Sequence, residues 1–216
     1  MNRLFITGTD TEVGKTMVTA CLAAAWRARG QTPRAVKPLA TGSPPPGEDA
    51  EFIAKAAGHP PAGFACLPEP ASPERAAKQA RIRIDDESLV AWVRAQTGDP
   101  VLVEGVGGWS VPITEAMTIE DLAMELKDPV LIVAANRLGM INHTLLTVEA
   151  VRQCGLPIAG VVINHLSDEH TDLQKWNTED IRRWVGPGTP VTTLHHILNR
   201  DELVVHGERL LSELGL

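Results

Sequence analysis

Residues 8–16 read Gly-Thr-Asp-Thr-Glu-Val-Gly-Lys-Thr and follow directly on the apolar run Leu4-Phe5-Ile6. A strand, a glycine-bounded loop ending in Gly-Lys-Thr, and then a helix-compatible stretch is the order a phosphate cradle requires. Main-chain N–H groups of the loop and the first helical turn face the phosphates in such a cradle, and the helix N-terminus adds positive partial charge. Lys15 would reach the β- and γ-phosphates, and the Thr16 hydroxyl would sit on Mg²⁺. The general pattern has four residues between its glycines. Here five residues separate Gly8 from Gly14, with Thr9 standing where the first glycine would be. The chain therefore carries a variant phosphate loop and is expected to handle a nucleoside triphosphate.

A chain of 216 residues with 44% hydrophobic content is long enough for one domain, spanning 1–216, with a sizeable core. Its net charge is −7 and no Lys/Arg block stands out, which argues against a nucleic-acid partner. Cys21, Cys66 and Cys154 are far apart and odd in number, so neither a disulfide framework nor a cysteine metal site is expected. The N-terminus opens on a strand rather than a charged head and apolar stretch, so no signal peptide is expected. No apolar run approaches the roughly 20 residues of a membrane helix. These features together predict a cytoplasmic enzyme of a reducing compartment with no membrane partner.

Apolar runs of strand length alternate with helical patterns. Strands are expected at 3–7, 33–37, 101–103, 129–135, 157–163 and 190–193. Helices are expected at 16–29, 48–57, 85–97, 141–154, 178–185 and 201–214, and residues 59–73, with five prolines, read as a loop. Continuous apolar strands separated by helices predict an α/β fold, a doubly wound and mostly parallel sheet with helices on both faces. Ligands of such sheets bind at the carboxyl ends of the strands.

Four strand ends carry chemistry. The first leads into the phosphate loop. The second ends in Lys37-Pro38-Leu39-Ala40-Thr41-Gly42, the third in Glu104-Gly105-Val106-Gly107-Gly108-Trp109, and the strand at 157–163 in Asn164-His165. A lysine directly after Ala35-Val36 is costly to bury unless it meets an anion; a solvent-facing loop lysine is the plainer alternative. Glu104 stands where proteins with such loops place an acid that helps hold Mg²⁺, although spacing alone also allows an exposed strand-end acid. Asp49 opens a helix, where the helix dipole by itself favours an acid.

Taken together, these segments resemble the dethiobiotin synthetase family. The resemblance rests on residues 8–16, on Lys37-Pro-Leu-Ala-Thr-Gly42, Glu48-Asp49-Ala50, Glu104-Gly-Val-Gly-Gly-Trp109 and Leu138-Gly-Met-Ile-Asn-His143. The longer phosphate loop is that family's own form. The resemblance implies an ATP- and Mg²⁺-dependent ligase of the P-loop type. It would add CO₂ to 7,8-diaminopelargonic acid and close the ureido ring, through a carbamate and a carbamic–phosphoric anhydride. Glu12, Val13, Gly14, Lys15, Thr16 and Met17 would cradle the phosphates, with Gly105, Val106 and Gly107 beside the nucleotide and Asn164 on its base. Lys15 and Lys37 would be the catalytic cations. Thr16, Asp49 and Glu104 would hold the metal. Thr11, Lys37 and Thr41 would contact the diamine end of the substrate. Gly139, Met140, Ile141 and Asn142 would receive the substrate carboxylate from the other subunit, which implies a homodimer with the active site near the interface. By spacing alone, that segment is only a glycine turn into a helix.

The chain also departs from the family. Thr193-Leu194-His195-His196 stands where relatives often carry a Gly-x-x-Pro-type turn, and Glu74 stands where they often have histidine. The main rival reading is a dimeric ATPase switch of the partition or cell-division type. Such switches carry a lysine five positions before the loop lysine, and that position here is Asp10. A corrinoid amidoligase would bring a further glutaminase-like domain, for which 216 residues leave no room.

Overall fold

The computed structural model describes residues 2–169 and 171–216. Its strands are β1 (Arg3–Gly8), β2 (Arg34–Val36), β3 (Leu39–Thr41), β4 (Ala65–Leu67), β5 (Val101–Gly108), β6 (Val130–Ala135), β7 (Ile158–Asn164) and β8 (Val191–Leu194). Its helices are α1 (Lys15–Ala28), α2 (Glu48–Ala57), α3 (Pro73–Ala80), α4 (Asp86–Arg94), α5 (Ile119–Leu126), α6 (Met140–Gln153), α7 (Asp172–Val185) and α8 (Leu203–Leu214). Among the described residues, six strands form one parallel sheet in the order β2-β5-β1-β6-β7-β8. No described helix is long and apolar enough to cross a membrane.

Strand periodicity divides the core between the two faces of the sheet. Leu4 and Ile6 of β1, with Leu102 and Leu131, join the side chains of α1 and α8 on one face. Phe5, Val103, Ile132 and Ile163 join those of α4, α5 and α6 on the other. All six residues of β6 are buried, as a strand covered on both faces requires. Helix α8 lies close on α1 at Gly207, where a Cβ would come within 2.0 Å of the Cys21 carbonyl oxygen. β1 sits between β5 and β6, so the crevice at its carboxyl end is where a ligand of this fold binds.

The structure amends the expected elements in four places. Residues 59–73 are not wholly loop: β4 pairs in parallel with β3, Leu39 opposite Ala65, and α3 begins at Pro73 with the Ser72 hydroxyl accepting from the Arg75 N–H. A three-residue strand among prolines has no periodicity of its own, so its partner decides it. Helix α5 was not expected, although Ile119, Leu122, Ala123 and Leu126 are spaced for one apolar face and a Thr118–Asp121 capping box opens it. Helix α7 starts at Asp172 rather than 178, behind a Thr171–Gln174 capping box. Strand β5 continues to Gly108, which puts Glu104 inside a strand rather than after one.

Candidate active site

The loop between β1 and α1 closes tightly around its two glycines. At Gly8 a Cβ would meet the Asp10 carbonyl and a Val13 methyl, each at 2.8 Å. At Gly14, φ is +93°, and a Cβ would fall 2.0 Å from Asn164 Nδ2. Glu12 also adopts a left-handed conformation, at φ 56°. Alternation of left- and right-handed residues turns successive N–H groups into one concavity, the arrangement that holds an oxyanion.

Lys15 opens α1, and its ammonium donates to the Asp10 carbonyl at 3.2 Å. Burial lowers it to about 8, although Glu104 pulls in the opposite direction. Lys37 sits between β2 and β3 and is 6% exposed. Its ammonium donates to Glu104 Oε1 at 2.9 Å and to the Asp49 carboxylate in the first turn of α2. Burial alone would lower it, but Glu104 and Asp49 together outweigh burial and hold it above the ordinary lysine value. The Thr16 hydroxyl donates to the same Glu104 Oε1 at 2.8 Å. Glu104 is fully buried, and its Oε2 has no hydrogen-bond partner among the described residues. A buried carboxylate oxygen left in this way is costly unless a cation approaches it.

These groups surround a cavity of about 390 Å³ lined by Thr11, Glu12, Gly14, Lys15, Thr16, Lys37, Thr41, Asp49, Val106 and Gly107. A second cavity of about 380 Å³ shares Thr11 with the first and runs between Trp109, Val111 and the α6 residues His143, Leu146, Thr147 and Ala150. Polar donors thus converge at one end and an apolar groove continues from the other.

The remaining expected residues lie differently. The Val13 side chain is buried in the core, so only its backbone can face a ligand, and its carbonyl accepts from Asn164 Nδ2 at 3.0 Å. Asn164 therefore commits its amide nitrogen to the phosphate loop. Met17 is half-buried against the core formed with α1 and α8. Gly105 lies under β1 and α5, where a Cβ would approach the Ile6 carbonyl at 3.4 Å. Gly139, Met140, Ile141 and Asn142 line neither cavity of their own chain. The Met140 side chain is buried and its N–H donates to the Arg137 carbonyl at 3.1 Å, so neither is open to a ligand.

Sequence reading passed over Val111, Leu146 and Thr147, and gave His143 no role beyond its place in the 138–143 segment. Leu146 is 63% exposed on α6, and Leu138 just before that helix is 82% exposed. It also passed over the ion pair of Asp10 with Arg137, at 2.8 Å.

A parallel sheet with this strand order, a glycine-bounded loop into α1, and a lysine and threonine over a buried acid define a P-loop nucleotide-binding protein. Comparison with known proteins agrees. A family described as "AAA domain" matches residues 2–204. The ATP-dependent dethiobiotin synthetase of Paramagnetospirillum magneticum is 46% identical over 168 residues, 76% of this chain and 77% of the relative. The dethiobiotin synthetase of Haloferax mediterranei is 40% identical over 194 residues, 88% of this chain and 82% of that one. The corresponding protein of Acidiphilium cryptum is 37% identical over 204 residues, 88% and 91%. A plasmid partition protein of Borrelia burgdorferi B31, solved with AMPPNP, shares the fold with a TM-score of 0.58 at 12% identity, over 98% of this chain and 97% of that one. The chain belongs to the dethiobiotin synthetase family.

Proposed function

We propose that this protein is an ATP-dependent dethiobiotin synthetase, converting 7,8-diaminopelargonic acid and CO₂ into dethiobiotin with release of ADP and phosphate. The observation that carries the reading is the pairing of two cavities at Thr11, one charged and one apolar. A diamine with a long aliphatic carboxylate tail needs both.

The residues divide the work. One substrate amine captures CO₂ as a carbamate, losing a proton. The carbamate oxygen attacks the γ-phosphorus and ADP leaves; the second amine then attacks the carbamoyl carbon, phosphate leaves, and the ring closes with loss of a proton. At each stage two anions must be held in contact, so the chemistry is charge neutralisation and positioning. Lys15 lies against the loop and neutralises the terminal phosphate. Lys37, held above the ordinary lysine value, stays charged to meet the carbamate. Thr11, at the junction of the cavities, and Thr41, in the lining of the charged one, orient the amine end. Thr16, Asp49 and Glu104 supply only oxygen ligands, and the unpartnered Oε2 of Glu104 fits a divalent cation. Two carboxylates and a hydroxyl, with phosphate oxygens completing the shell, suit Mg²⁺. Thr16, Asp49 and Glu104 would hold it, and when bound it would supply positive charge that offsets the charge of the phosphates.

Residues 139–142 line neither cavity of their own chain, which supports a homodimer in which Gly139, Ile141 and Asn142 receive the carboxylate of the partner's substrate. The exposed Leu138 and Leu146 beside them support the same face as the contact. Free Cys21, Cys66 and Cys154 support a reducing compartment, the cytoplasm.

The test is incubation with 7,8-diaminopelargonic acid, ATP, Mg²⁺ and bicarbonate, followed by mass spectrometry. A gain of one carbonyl with loss of two hydrogens, dependent on all four components, is the expected result. ATP hydrolysis without that product would turn the assignment toward an ATPase switch.

A further inference from the structure

We infer that Asp10 and Arg137 form a strut that holds the start of α6 in register with the phosphate loop, which makes both positioning residues for the diamine. The inference rests on reading residues 139–142 as the carboxylate subsite. Arg137 Nη2 donates to Asp10 Oδ2 at 2.8 Å. The other oxygen, Oδ1, accepts from the Thr11 main-chain N–H at 2.7 Å. The Asp10 carbonyl accepts from Lys15. At the far end, the Arg137 carbonyl accepts from the N–H of Met140, the first residue of α6, at 3.1 Å. One side chain and one carbonyl of Arg137 thus connect Thr11, where one substrate's amine end is held, to the helix start that receives the tail of the other subunit's substrate.

The strut is also braced from behind. Asn136 is buried; its main-chain N–H donates to the Asn164 carbonyl at 2.8 Å, and its Nδ2 donates to the Gln174 carbonyl at 3.0 Å. Asn136 Oδ1 accepts from Asn177 Nδ2 at 2.9 Å, and the same Nδ2 reaches the Arg137 carbonyl at 3.4 Å. The backbone at Arg137 is therefore fixed, while its guanidinium and Asp10 are both about half exposed. An ion pair so exposed contributes little to folding. Its consequence is geometric, because a small misplacement of bound groups is felt strongly in the rate. In a dimer the strut links one subunit's phosphate loop to the tail of the substrate held by the other.

The test is a double-mutant cycle of Asp10→Asn and Arg137→Gln, with dethiobiotin formation and ATP binding measured separately. Arg137→Gln should raise the diamine KM about tenfold while changing the ATP Kd less than about twofold, and Arg137→Lys should recover part of the loss. The double variant should be no worse than the poorer single one. Additive penalties, an unchanged diamine KM, or equal loss of ATP affinity would overturn the strut. Hydrogen exchange reads the same link without the diamine. A non-hydrolysable ATP analogue with Mg²⁺ should slow exchange in the peptide covering 137–145 of the parent protein but not of Arg137→Gln. An equal response in both would overturn the strut, whereas a parent protein that shows the exchange effect yet makes no dethiobiotin would count only against the function proposed above.

Discussion

The cavity around Lys15 and Lys37 buries its charges, whereas the groove between Trp109 and α6 leaves apolar side chains open. In the first, two lysines and Glu104 are more than nine-tenths removed from solvent, and each is held by named partners. Removing one partner there strands another charge, so residue identity is tightly prescribed. In the second, Leu146 and its neighbours need only be apolar and suitably shaped. The contrast teaches that this site is specific where its charges are buried and permissive along its apolar groove.

Lys37→Ala is the strongest attempt to break this contrast. Turnover should fall about a thousandfold, while ATP affinity changes less than about threefold. Parallel kinetics and equilibrium nucleotide binding check it; an equal loss of both would reduce Lys37 to a nucleotide ligand. Gly14→Ala should come next. A Cβ there meets Asn164 Nδ2 at a left-handed residue, so the loop must shift. ATP affinity should fall about a hundredfold, equivalent to about 3 kcal/mol. Asn142→Glu probes the other end. If residues 139–142 form the proposed tail subsite, an added carboxylate there should raise the diamine KM about 30-fold and spare ATP. An unchanged KM would remove residues 139–142 from the site.

The smallest effect sharpens the electrostatics. Free Lys15 is lowered to about 8 by burial, and a bound phosphate favours its charged form. Nucleotide binding should therefore take up a proton as pH rises through about 8. ATP affinity should fall about twofold by pH 8 and about tenfold by pH 9, relative to pH 7. Calorimetry in buffers of different ionisation enthalpy measures that uptake directly. A pH-independent affinity over this range would mean Lys15 remains charged before the nucleotide arrives.

Legibility in the sequence followed the same division. Lys15 and Thr16 could be read from a glycine-bounded loop leading into a helix, and Lys37 and Glu104 because a charged side chain next to a buried apolar run is costly unless an ion or ligand meets it. The structure brings all four together. Asp49 was ambiguous by spacing, and its ion pair with Lys37 places it in the cluster. Val111 and Leu146 were not readable, because an apolar residue carries no mark of which surface it serves. Strand β4 was hidden for a related reason: Ala65, Cys66 and Leu67 become a strand only by pairing with β3. The helix at 119–126, by contrast, was written in its apolar spacing.

By itself the sequence determined the phosphate loop, the alternation of buried strands and helices, and the family resemblance. Each rests on local spacing, on residues that need glycine conformations, or on charges that need partners. Tertiary structure alone decided that Glu104 lies inside β5 with Thr16 and Lys37 on one oxygen. It alone joined Asp10 to Arg137 across 127 residues. It also left residues 139–142 outside the lining of both cavities. Those outcomes depend on which strands become neighbours, and strand order is settled by packing across the whole sheet rather than by any one segment.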